Sequence, residues 1–136
     1  MNTPSSLEVI IEVERGSFAK RRPDGSVEFI SPFPCPFAYG SVVGSVAADG
    51  DPEDALVLSE SPRRGSLVRL PVWGQVCFWD GGLADHKWVL SSDMPTQKQW
   101  YLIERFFTLY AFSKRIWYSF RQVPGGVVFE GVRRYP

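Results

Sequence analysis

The chain has 136 residues, and Lys+Arg and Asp+Glu both total 15, so its formal net charge is zero. That balance argues against a protein whose main work is holding nucleic acid or an anionic membrane, because both need surplus positive charge. Hydrophobic content of 44% and aromatic content of 15% exclude a disordered chain and suit one packed domain over residues 1–136.

Taken in order, Leu7–Glu14 is rich in β-branched residues and reads as a first strand, in which Glu8 and Glu12 by themselves belong on a solvent face. Arg15-Gly16-Ser17 turns the chain. Lys20-Arg21-Arg22 reads as a solvated basic loop before the Pro23–Ser26 turn, and Val27–Ile30 as the returning strand of a hairpin. Three prolines bar Ser31–Phe37 from a central strand. Strand character returns over Ser41–Ala47, around Val42, Val43 and Val46. An acidic turn follows, then Ala55–Leu58, a buried apolar strand. Ser66–Trp73 and Gln75–Trp79 are strand-like; Asp80-Gly81-Gly82 is a turn, and Asp85–Leu90 is the partner strand of that hairpin.

Only one segment has a clear helical signature. Thr96-Gln97-Lys98-Gln99 is a capping box after Pro95, and Trp100, Ile103, Phe107 and Tyr110 recur at helical spacing, predicting a helix from Thr96 to Ser113. Ile116–Phe120 fits either helix or strand, and Val127–Phe129 is a last strand. Short strands around one amphipathic helix predict an α+β, mainly β fold: a small closed barrel with the helix packed against it. Cys35 and Cys77 lack metal-ligand spacing and read as unpaired thiols of a reducing cytosol. No signal-peptide core and no apolar run of spanning length occurs, so a cytoplasmic protein is expected.

The chemistry concentrates in two acidic groups. Asp49 and Asp51 would share a face in an extended segment, and Asp54 lies just past Pro52. Three carboxylates so close are costly without a cation, and a hard divalent ion suits them; a solvated acidic turn is the bland reading. Asp80 and Asp85 flank a glycine turn, with Lys87 on the same strand face as Asp85. Together the groups suit Mg²⁺ plus phosphate, with a metal-activated water as nucleophile. An EF-hand is excluded, because Asp54 stands where that loop needs glycine. His86 alternates away from Asp85 and Lys87, Cys35 reads as a packed thiol, and Trp100, Phe106 and Phe107 as core.

Asp49-Gly50-Asp51-Pro52-Glu53-Asp54 resembles the D-G-D-P-x-D signature of the soluble, Mg²⁺-dependent inorganic pyrophosphatases of the single-domain barrel type. Glu12–Ser17 with Lys20 resembles the family's E-I-P-x-G-S…K, and Pro36–Gly40 the end of its Y-P-x-N-Y-G. Asp80…Asp85-His86-Lys87 is similar to its D…D-x-K, and Asp93-Met94-Pro95 with Phe106-Phe107…Tyr110 to its D-L-P and F-F-x-x-Y helix.

The resemblance implies an OB-like barrel that hydrolyses pyrophosphate to two phosphates, with Mg²⁺ as cofactor and Mn²⁺ or Zn²⁺ as substitutes. It implies Asp49, Asp54 and Asp85 as ligands of the tightest metal, with Asp54 shared with a second. Asp80, with Asp85, would serve a metal arriving with substrate, and Glu12 would orient outer-shell waters. Asp51 would accept the proton of the attacking water, Lys20, Lys87 and Tyr110 would hold phosphate oxygens, and Tyr39 would order the network. It also implies a homo-oligomer without nucleic-acid or membrane partners.

The chain departs from the pattern at Arg22, where the family has an acidic residue, at Cys35 for a tyrosine and at Ala111 for a lysine. One family arginine has no counterpart in Val27–Pro34. Arg22, or Arg21 beside it, could restore one phosphate contact. The losses leave open an alternative: an impaired pyrophosphatase-like protein that binds metal and a phosphate compound. A polymer-binding barrel is counted against by the zero net charge and the acidic rim.

Overall fold

The computed structural model describes residues 5–17, 19–21, 24, 26–30, 34–58, 61–122 and 125–135. In chain order the strands are β1 (Ser6–Val13), β2 (Ala19–Arg21), β3 (Val27–Ile30), β4 (Ala38–Val42) and β5 (Asp54–Val57). β6 (Leu67–Asp80), β7 (Leu83–Ala84) and β8 (Lys87–Leu90) follow, then helix α1 (Gln97–Arg121) and β9 (Val127–Arg134).

Alternation along β1 buries Val9, Ile11 and Val13 while Ile10 faces solvent, as a period of two requires. β1 pairs antiparallel with β4, and β4 with β5. β5 runs parallel to β8, β8 is antiparallel to the middle of β6, and the first part of β6 returns to β1. The pairings close a ring, β1–β4–β5–β8–β6–β1. β9 extends it beyond β6, and β2 and β3 form a separate hairpin. This is the mainly β, OB-like arrangement expected from the sequence.

Helix α1 covers one end of the interior. Thr96 and Gln99 exchange the two hydrogen bonds of the capping box. Its inner stripe buries Trp100, Ile103, Phe106, Phe107 and Ala111. The Phe106 ring meets Phe37 edge-on at 5.0 Å, and Phe107 meets Phe78 edge-on at 6.1 Å. Each such buried ring contributes on the order of 1.5–3 kcal/mol, so the helix is fixed by packing more than by propensity.

Three expectations are corrected. The strand at Ser41–Ala47 ends at Val42: Gly44 turns the chain at a φ of 77°, and Ser45 Oγ donates to the Val42 carbonyl at 2.7 Å. Val43 and Val46 are accordingly exposed. Ser66–Trp73 and Gln75–Trp79 are one strand, because Gly74 marks a shift of register and does not break it. A Cβ at Gly74 would overlap the Arg133 carbonyl oxygen and stand 2.9 Å from the Trp100 ring, so only glycine lets β9 and α1 approach there. The helix runs on past Ser113 to Arg121, through Ile116–Phe120, and ends on left-handed Gln122.

Candidate active site

The acidic stretch is a built loop and not an extended segment. Asp49 Oδ1 accepts the Asp51 amide at 3.0 Å, the Ala47 amide donates to the Asp51 carbonyl, and Gly50 takes a φ of 89°. Glu53 is tied at both ends: its amide donates to Ser45 Oγ at 2.8 Å, and its carboxylate accepts Trp88 Nε1–H at 2.9 Å. Asp49 and Asp51 therefore face solvent from a pinned loop, and Asp54 turns inward as the first residue of β5.

At the centre stands Lys87, 2% exposed. Its ammonium donates to Asp54 Oδ2 at 3.0 Å and lies 2.7 Å from Asp85 Oδ1. Its Nζ also stands 5.4 Å from the centre of the Phe78 ring. Burial is the main influence on Asp85, and together with the charge of Asp54 it raises this carboxyl above its ordinary value despite Lys87. Tyr39, opposite Leu56 on β4, faces the same charges. Burial first, then Asp54, Tyr110 and Asp85 and a hydrogen bond to Asp54, push its hydroxyl well above the ordinary tyrosine value, so it stays protonated. The Tyr110 ring packs 5.7 Å from Phe78.

The second acidic group lies at the rim. Asp80 closes β6, and its carboxylate is 2.7 Å from Lys114 Nζ and 2.8 Å from the Tyr118 hydroxyl. Lys114 Nζ stands 5.3 Å from the centre of the Tyr110 ring, which links this group to the first.

The structure thus brings together Tyr39, Asp54, Asp85, Lys87 and Tyr110, with Asp80 beside them. Glu12 is half-buried on β1, with its Oε1 shielded from solvent. Lys20 sits on β2 opposite Phe29, and Arg22 lies outside the described residues. Among the described residues, no three carboxylate, histidine or cysteine side chains already converge as a metal site. His86 is structural: Nδ1 accepts the Phe78 amide at 3.0 Å, and its ring meets Trp79 edge-on at 5.3 Å. Cys35 is buried, and burial pushes its thiol up to about 11, so it is a packed, unreactive group.

Sequence reasoning missed Lys114 and Tyr118. They stand four and eight residues after Tyr110, on its helix face, but beyond the point where the stripe was expected to stop.

A family model described as inorganic pyrophosphatase matches residues 9–123. The chain belongs to the inorganic pyrophosphatase family. An inorganic pyrophosphatase of Gluconobacter oxydans is 36% identical over 92 residues, 62% of this chain and 53% of that protein. One from Aquifex pyrophilus is 38% identical over 76 residues, 50% of this chain and 43% of that protein. The matches span about half the length of these curated relatives. The crystal structure of inorganic pyrophosphatase from Thermus thermophilus superposes with a TM-score of 0.74 at 23% identity, covering 98% of this chain and 85% of that one. The fold of this member is therefore that of the family.

Membership implies a divalent-metal cofactor. The donor chemistry fits one, since Asp54, Asp85 and Asp80 offer the hard oxygen atoms such a cation takes, although their side chains are now drawn to Lys87 and Lys114. No helix among the described residues is long and apolar enough to cross a membrane.

Proposed function

We propose that this family member hydrolyses inorganic pyrophosphate to two phosphates with Mg²⁺ as its cofactor, Mn²⁺ or Zn²⁺ being substitutes. The observation that carries the reading is the buried Lys87 ammonium shared by Asp54 and Asp85, beside Tyr39 and Tyr110. Such a group resists burial unless a site requires it, since a packed apolar cluster would be at least as stable.

Asp49, Asp54 and Asp85 would hold the cofactor, Asp80 would receive the cation that accompanies pyrophosphate, and Glu12 would orient water. A divalent cation, when bound, offsets phosphate charge and makes water a nucleophile at neutral pH. Asp51, exposed on its pinned loop, takes the proton of the water that attacks one phosphorus, and the bridging P–O bond breaks to release the second phosphate. Two of Lys87's three N–H donors go to Asp54 and Asp85, and the third would go to a phosphate oxygen. Tyr110 and Lys20 would grip the same anion, with Arg22 as a further positive charge, and protonated Tyr39 holds Asp54 in orientation.

A homo-oligomer belongs to the same proposal. The outer face of α1 exposes Tyr101, Leu109, Phe112, Ile116 and Phe120 at helical spacing, a second apolar stripe suited to another copy. Neutral net charge supports the lack of a nucleic-acid partner, and the two unpaired cysteines support a cytoplasmic location.

Phosphate release from pyrophosphate with Mg²⁺, Mn²⁺ or Zn²⁺ tests the reading. Turnover with Mg²⁺ is expected. No turnover with any of the three would overturn it, and metal binding that survived would favour the impaired binder, for which Ala111 and Cys35 speak.

A further inference from the structure

The position after Tyr110 carries no charge: Ala111 is 1% exposed and packed into the core. One helical turn beyond Tyr110, Lys114 is half-buried on the same face. Its Nζ lies 2.7 Å from Asp80 Oδ2 and 5.3 Å from the centre of the Tyr110 ring. Tyr118 donates to the same carboxylate, which fixes Asp80 from the other side. Burial opposes the charge of Lys114, but Tyr110, Asp80 and Tyr118 outweigh it and hold the group well above an ordinary lysine.

We propose that Lys114 is a substrate-binding residue, the cation by which α1 grips a terminal phosphate oxygen of pyrophosphate on the Asp80 side of the site. The assignment rests on the pyrophosphatase reading. Asp80 and Tyr118 hold the ammonium at the rim before substrate arrives. With pyrophosphate bound, Lys114 would turn from Asp80 to the phosphate oxygen, and Asp80 would be left to hold a cation. A lysine suits this exchange, since its donors rotate about one point charge and need no fixed fork geometry. The helix thereby recovers, one turn along, the charge that Ala111 lacks.

The competing role is a tether that merely fastens the far half of α1 to β6. The discriminating variants are Lys114→Gln, which removes charge but keeps a donor for Asp80, and Lys114→Arg, which keeps charge. Methylenediphosphonate binding with Mg²⁺ is measured by calorimetry, beside KM for pyrophosphate and the melting temperature. Lys114→Gln should weaken analogue binding about 10- to 100-fold and raise KM alike, with Lys114→Arg close to the parent. A parent that binds the analogue no better than Lys114→Gln overturns the assignment and leaves the pyrophosphatase reading standing. A parent that neither binds the analogue nor hydrolyses pyrophosphate overturns both.

Discussion

Asp54 and Lys87 are register partners across the parallel pair of β5 and β8, and the Lys87 ammonium reaches Asp54 Oδ2 at 3.0 Å. Parallel strands begin at the same end of a sheet, so the loops that precede them converge. The acidic loop leads directly into β5, and the Asp80–Asp85 hairpin leads directly into β8. That topology is why two acidic groups far apart in sequence arrive at one rim, with Lys87 between them.

Replacing that lysine leaves two carboxylates facing each other without their shared cation. Lys87→Met should therefore abolish turnover and destabilise the fold by about 3–5 kcal/mol. Asp85 is already raised by burial, and loss of Lys87 raises it further. A raised carboxyl favours the folded state at low pH and loses that contribution as pH rises through its folded pKa. Urea denaturation should accordingly show the deficit shrinking as pH falls. A deficit independent of pH would contradict the account.

Cys35 gives a second pH dependence. Its thiol moves from 9.0 to about 11 through burial. Its stabilising contribution is complete below pH 9.0 and is lost as pH rises toward about 11. Against a Cys35→Ala control, the parent should lose roughly 2–3 kcal/mol more over that interval. Parallel stability curves would show that the thiol is accessible to solvent.

His86 separates structure from chemistry. His86→Ala removes the acceptor of the Phe78 amide and should cost about 1–3 kcal/mol in denaturant unfolding. On the proposed activity, turnover of the folded protein and its response to Mg²⁺ should stay near the parent's. A loss of metal response at unchanged stability would place the imidazole in the metal site.

Much of this was legible in the residues. The capping box Thr96–Gln99, the apolar run Ala55–Leu58 and the glycine turn after Asp80 each carry a local signal that tertiary packing left intact. The strand through Ser41–Ala47 was misread because Val43 and Val46 have strand propensity, whereas the Gly44 turn and Ser45 hydrogen bonds end the ladder. The helix was cut short because Lys114 and Tyr118 are polar, and a hydrophobic stripe does not reveal that polar residues face inward when a carboxylate awaits them. The extended reading of Asp49 and Asp51 failed for a related reason: the aspartate side chain itself builds the turn.

The central claim is that these carboxylates serve phosphate hydrolysis. The most direct measurement is phosphate release from pyrophosphate with Mg²⁺, comparing the parent with Asp51→Asn, an exposed loop residue whose replacement leaves the core untouched. The account predicts turnover by the parent and a fall of about 10²- to 10⁴-fold in the variant at unchanged melting temperature. Equal rates for the two proteins would contradict it.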